Sequence, residues 1–319
     1  MTSIPLNDFV RQIEELYAEP MRSPRTRKAM LKVLREVKAL GMRTTADLTP
    51  GLVARYITAR SSEVNPRTVH GNLLCLQAAC NLAESLGALK VNPFKVRKMK
   101  QWIRPGRPEV KPHHSREEIR AVLGLMARDV TERQGWAQWK ARRLLAMTTL
   151  FCLTGARRNE GLFAWVEDLD LEARVFWVRA RSGGRLKTEA SEQPVPLPMA
   201  AVEPLRDWLS HRLDRPPGFK LPEAVPWLFP NIRASNAWCA GQHGARPWER
   251  LQAVAQRAGV KGMTFQSLRR SLACHLEAHG LGQALITRCL RHTSERTSKQ
   301  WYQSSDVPNL VTAVEGFNF

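Results

Sequence analysis

Acidic side chains are in short supply: 29 Asp and Glu stand against 49 Lys and Arg in 319 residues, a formal charge of +20. A soluble chain with that imbalance meets a polyanion, most often nucleic acid. An anionic membrane is the rival partner, but no basic amphipathic anchor or lipidation signal is present. Long apolar runs are also missing. Nothing approaches the ~18 residues of a membrane span, and Met1 to Pro20 holds no signal-peptide core. The expected place of work is therefore the cytoplasm, or the nucleus if the host has one, and with nucleic acid as partner it is the nucleoid. The six cysteines (75, 80, 152, 239, 274 and 289) are scattered without a C-x-x-C, which disfavours a disulfide framework and a zinc site. Tyrosine is scarce, with only Tyr17, Tyr56 and Tyr302. What is plentiful is apolar residues, 43% of the chain. That is enough to bury a core, so full-length disorder is excluded, and the length favours two domains.

The charge is uneven. Residues 1–112 hold 20 basic and 9 acidic residues, and most of that segment reads as helical. Leu6, Phe9, Ile13 and Leu16 recur at helical spacing, as do Met30, Leu34 and Val37 before a stop at Gly41. Thr49-Pro50 and Asn65-Pro66 each open another helix. Residues 1–89 are thus expected to form a helical bundle. Residues 90–112 differ, with eight basic residues, one acid and three prolines among 90–111. No helix or strand period survives there. The segment reads as a basic linker that lies on phosphate through Lys95, Arg97, Lys98, Lys100, Arg104 and Arg107, with a solvated connector as the alternative.

A second unit begins at the capping box Ser115-Arg-Glu-Glu118. A long apolar helix is expected over about 137–153, broken at Thr154-Gly155. The period then changes. Val175–Val178 and Pro194–Leu197 read as strands around a Gly183-Gly184 turn, with a third strand within 165–170. Helices resume near 201–213, 248–258, 268–279 and 285–290. The fold class is mainly α (α+β): an N-terminal helical bundle, then a mostly helical larger domain with one small antiparallel sheet.

Four segments of this second unit could carry chemistry. In Thr154-Gly-Ala-Arg-Arg-Asn-Glu160, Glu160 lies one turn after Arg157 and can aim its guanidinium at a phosphate. Lys187 falls on the hairpin and can protonate a leaving group. Gln266-Ser-Leu-Arg-Arg270 opens a helix behind the N-cap Thr264, and a helix N-terminus attracts anions. Leu290-Arg-His-Thr-Ser294 precedes Tyr302, which sits in a polar stretch. Each segment alone also suits an ordinary surface pair, a solvated lysine, a capped helix or a packed tyrosine. His275 and His279 are spaced as a metal pair, but with no third ligand evident they read as structural.

The order of the segments resembles the catalytic domain of the tyrosine recombinases, the phage-integrase family, over about residues 113–305. The helical first third and basic linker are similar to that family's core-binding domain. The resemblance implies that Arg157 and Arg269 are the catalytic arginines, Glu160 the structural support of the first, Lys187 the hairpin lysine, His292 the histidine of the L-G-H box and Tyr302 the nucleophile. It implies double-stranded DNA as partner, a homotetramer on two DNA sites, an accessory directionality factor, and no metal, cofactor or ATP. A short apolar tail, 306–319, is expected to dock on a neighbouring protomer or on its own domain. Three departures stand out. Gln266 replaces the usual histidine, Arg291 replaces the L-G-H glycine, and the interval from His292 to Tyr302 is about one residue longer. The resulting expectation is a site-specific recombinase or integrase. The alternatives are a catalytically impaired DNA binder of the same fold and a type IB topoisomerase-like enzyme.

Overall fold

In the computed structural model, residues 3–16, 24–104, 113–181, 192–214, 224–231 and 246–291 are described. The chain divides into two compact units, Met1–Val110 and Lys111–Phe319.

The first unit is built on α1 (Leu6–Leu16), α2 (Pro24–Ala39), α3 (Pro50–Ser61) and α4 (Pro66–Ser85). Their caps are local chemistry. Thr49 accepts a hydrogen bond from the Leu52 N–H at 3.2 Å, and Asn65 from that of Thr68 at 2.9 Å, each just before a proline at the first helical position. Gly41, with φ 103°, turns the chain after α2. Phe9, Ile13, Leu34, Val37, Val53 and Leu73 fill the core. Tyr56 is buried there too, its hydroxyl donating to Glu36 at 2.5 Å.

The basic segment after α4 is not devoid of regular structure. It forms two short helices, α5 (Pro93–Val96) and α6 (Met99–Trp102). Asn92 caps α5 by accepting from the Phe94 N–H at 3.0 Å. Phe94 is buried in the first unit's core, with Trp102 and Ile103 packed at its margin. A four-residue helix is too short to show a period, so the pattern of 90–103 reads as irregular while its apolar residues still anchor it.

The second unit surrounds α8 (Gly135–Thr154), which is buried on most sides by α7 (Arg116–Glu132), α10 (Met199–His211) and α12 (Phe265–Ala278). The Ser115 hydroxyl accepts from the Glu118 N–H at 3.2 Å, and the Glu118 carboxylate from the Ser115 N–H at 2.8 Å, so the expected capping box starts α7. Arg143 is the buried charge of α8. Its guanidinium stacks on Trp139 at 4.4 Å and donates to the Pro230 carbonyl at 2.7 Å. Further along α7, Asp129 takes both arms of Arg257 at 2.7 and 2.9 Å and so ties α11 (Pro247–Arg257) to it.

The sheet is antiparallel in the order β1 (Leu169–Asp170), β2 (Val175–Val178), β3 (Gln193–Pro196), with Leu169 opposite Phe176 and Phe176 opposite Val195. The expected strand over 165–170 is strand only at its last two residues. Residues 166–168 form a 3-10 turn whose Asp168 accepts from the Trp165 N–H at 2.8 Å. Pro194 and Pro196 are tolerated because β3 lies at the end of the strand order, where missing N–H donors break no second ladder. Among the described residues no helix is long and apolar enough to cross a membrane. The five described cysteines are free thiols, while Cys239 lies outside the described residues.

Candidate active site

The site forms where α8 ends. Gly155, with φ 56°, is the left-handed C-cap, its N–H donating to the Phe151 carbonyl at 3.1 Å. A side chain there would be strained by the backbone and would meet Leu290 Cδ2 at 2.5 Å and Leu272 Cδ2 at 3.0 Å. The glycine thus brings α12 and α13 (Gln283–Cys289) close to the break. Two residues on, Arg157 precedes the short helix α9 (Arg158–Leu162).

Arg157 and Glu160 meet as the one-turn spacing predicts. The Arg157 N–H donates to Glu160 Oε2 at 2.6 Å and its Nη1 to Oε1 at 2.8 Å. A third bond runs from Arg157 Nη2 to the Arg291 carbonyl at 2.5 Å. The guanidinium is therefore held from two sides. Glu160 itself is only 2% exposed at its side chain. Burial alone would raise its pKa, but the guanidiniums of Arg291 and Arg157 and the Arg157 N–H outweigh that and hold it below the usual carboxylate range.

Arg269 reaches the same place from α12. Thr264 caps that helix by accepting from the Ser267 N–H at 3.0 Å, as expected. The Arg269 guanidinium donates to the carbonyls of Gly155 and Leu290 and is buried. Burial first, and then the charges of Arg291 and Arg157, push its pKa down to about 9. The physical meaning is that like charges are crowded in a dry place, and an arriving anion would relieve them. Gln266, one turn before Arg269, is exposed.

Two groups at the site escape sequence reasoning. Arg291 sends its own guanidinium to Glu160, Nη2 to Oε2 at 2.8 Å. His114, buried just before α7, donates its N–H to Ser271 Oγ at 2.8 Å and meets Ser267 Oγ through Nε2 at 3.0 Å, which secures the start of α12. Neither pairing has a local signal, because the partners lie 131 to 157 residues apart. His275 is packed edge-on to His113 at 6.3 Å between ring centres, and no group of three metal-ligating side chains occurs among the described residues.

Of the residues named from sequence, the structure brings Arg157, Glu160 and Arg269 together. Lys187, His292 and Tyr302 lie outside the described residues, as do Arg107 and the tail 306–319. In the first unit, Lys95 is exposed and pairs with Glu84 at 2.9 Å. Arg97 lies 4.7 Å over the Trp102 ring, Lys98 and Arg104 are exposed, and Lys100 belongs to α6.

The sequence pattern of the phage integrase family matches residues 123–307, which is more than half of the chain. The protein is a member of that family. Its relatives include tyrosine recombinase XerA of Pyrococcus furiosus, 26% identical over 202 residues that cover 63% of this chain and 60% of XerA. Tyrosine recombinase XerD of Mycobacterium leprae is 28% identical over 159 residues, 48% of this chain and 46% of XerD. The matched stretches thus span about half to three-fifths of these relatives. Among solved structures, the Tn1549 transposon integrase in complex with a circular intermediate DNA superposes with a TM-score of 0.67 at 15% identity, over 96% of this chain and 98% of that one. A lambda integrase dimer bound to a COC′ core site gives 0.63 at 13% identity, over 95% and 100%. The family's integrase fold, mainly helical with a small antiparallel sheet, is the fold of this chain.

Proposed function

We propose that this phage-integrase family member is a site-specific DNA recombinase or integrase that cuts and rejoins strands through a 3′-phosphotyrosine link. One observation carries the reading. Arg157 and Arg269, remote in sequence, converge on one buried cluster around Glu160 and the carbonyls of residues 155, 290 and 291. Paired guanidiniums fixed before the substrate arrives are what a phosphodiester needs, because its negative charge repels nucleophiles and grows on the non-bridging oxygens at the transition state.

In the chemistry that follows, the Tyr302 oxygen attacks the scissile phosphorus. A new O–P bond forms and the bond to the 5′ oxygen breaks. Lys187 gives that oxygen its proton and leaves it a hydroxyl. Tyrosine's free pKa is near 10, so Tyr302 gives up its proton to His292 under the positive field of the arginines. Gln266 donates a hydrogen bond to a phosphate oxygen but carries no charge. The 5′-hydroxyl of a second strand reverses the reaction, and the phosphodiester energy is conserved in the link. Exchange between two duplexes calls for several protomers. We assign a homotetramer on two sites, with the tail 306–319 as the docking piece and an accessory factor setting direction, in the cytoplasm on the nucleoid.

The reading is tested by enriching duplexes that bind from a random pool and nicking them beside the bound centre. The expected result is a protein–DNA adduct that survives denaturation and whose DNA-bearing peptide contains Tyr302. No adduct on any enriched duplex would leave a binding protein only. Relaxation of plasmids lacking the enriched sequence would indicate the topoisomerase chemistry instead.

We assign residues 1–89 and the basic segment 90–112 to clamping the duplex, and 113–305 to the reaction. Alanine at Lys95, Arg97, Lys98 and Lys100 together should weaken binding to all sequences and flatten the slope of log affinity against log salt by up to about four, near one per lost phosphate contact. Filter binding at several salt concentrations measures it. An effect confined to one sequence would show that the segment reads bases.

A further inference from the structure

The departure from the family pattern at the L-G-H glycine has a definite geometry. Arg291 follows α13 with φ 53°, the left-handed region that glycine enters without strain. A charged side chain at a helix end would ordinarily stand in water. This one is 2% exposed. It turns inward, with Nη2 on Glu160 at 2.8 Å and Nη1 on the Cys289 carbonyl at 3.3 Å, and its buried Nε has no hydrogen-bond partner among the described residues. Its backbone carbonyl meanwhile accepts from Arg157. Residue 291 therefore acts on Arg157 twice, directly by its backbone and through Glu160 by its side chain.

We propose that Arg291 is a positioning residue of the phosphate site, a third guanidinium that fixes Glu160 and sets a buried positive charge behind Arg157 and Arg269. This rests on the reading of that pair as the seat of the scissile phosphate. Among the described residues of the cluster there are three guanidiniums and one carboxylate: Arg157 and Arg291 pair with Glu160, and Arg269 donates to backbone carbonyls. The surplus is two positive charges in a largely buried cluster, where they are screened less than at the surface. Burial and these neighbours push Arg269 downward, and Arg291 itself is pushed down by burial against the pull of Glu160. The site is thus under an electrostatic load that a bound anion would reduce. Arg291 does this without reaching the DNA. A unit charge within about 7 Å of a bound anion, at an effective dielectric of about 20, is worth more than tenfold in affinity. The two departures also offset in charge. The family's histidine, which can carry a proton, is Gln266, and its glycine is a permanently charged arginine.

The test is thermal unfolding of the full chain with inorganic sulfate against sodium chloride at equal ionic strength. Arg269→Gln removes the part of the sulfate-induced rise in Tm that belongs to this site. Arg291→Gln, which keeps a donor but no charge, should shift that part to more than tenfold higher sulfate, and Arg291→Lys should keep it. Arg291→Gly suits φ 53° and serves where the glutamine variant fails to fold, with the same expected loss. If Arg269→Gln removes the response and the glutamine or glycine variant at 291 retains it, the role given to Arg291 is wrong while the phosphate reading stands. If the lysine variant loses it as well, charge is not the cause and the proposal fails. If Arg269→Gln changes nothing, the arginine pair is not an anion seat and both readings fall.

Discussion

Tyr302→Phe should abolish the covalent adduct on the nicked duplex and leave duplex affinity within about twofold, since affinity rests on phosphate contacts along the DNA. The change removes one oxygen and keeps the ring, and in the proposed chemistry that oxygen is the nucleophile. No partial activity is expected, because a phenyl ring has no atom that can bond to phosphorus. Denaturing gels for the adduct and filter binding for the affinity separate the two effects. A residual adduct would have to come from another group, and Tyr56 is a poor candidate. It is buried in the first unit against Glu36, and burial first, then that carboxylate, push its phenol far above its ordinary value. An adduct that persists in the variant would overturn the assignment of the nucleophile.

Glu160→Ala should destabilise the second unit by about 3–5 kcal/mol, the range for removing one partner of a buried ion pair. The carboxylate is buried and answers two guanidiniums and one backbone N–H. Its loss leaves those donors with an empty space and positive charges facing one another. At about 2–4 °C per kcal/mol for a unit of this size, Tm should fall by roughly 6–20 °C. Glu160→Gln, which keeps the shape and one acceptor, should fall less. Sulfate should restore more of the loss in Glu160→Ala than it adds to the parent, since it supplies the missing negative charge. The pair also predicts a pH dependence. Glu160 is held below its unfolded value near 4.3, so its contribution is complete above that pH and is lost as pH falls through the lower folded value. In Glu160→Gln this acid-sensitive part should vanish. Stability indifferent to both substitutions would mean that the cluster is not held by its carboxylate.

The contrast between what was legible in the sequence and what was not follows the range of the interactions. Thr49, Asn65, Ser115 and Thr264 announce helix starts because each cap bonds a neighbour three residues away. The Arg157–Glu160 pair is legible for the same reason. The ordered run of Arg157, Arg269 and the residues beyond α13 carried the family. Where the bond spans the chain, local pattern is silent. The bond from Arg143 to the Pro230 carbonyl spans 87 residues and has no local signal. Arg291 reads as a lost glycine until Glu160, 131 residues earlier, is found in its grip. The helices of 93–102 escape for a different reason, being single turns fixed by Phe94 and Trp102 rather than by any repeat.

The end of α13 gives the site an unusual form of bookkeeping. Arg269 donates to the carbonyl of residue 290 and Arg157 to that of residue 291. Two consecutive peptide groups therefore act as a latch for side chains that come from separate helices. A displacement of the end of α13 would cost both arginines an acceptor together. Each arginine keeps a separate hold besides, Arg157 on Glu160 and Arg269 on the Gly155 carbonyl. The stretch that runs on from this latch is the one that carries His292 and Tyr302.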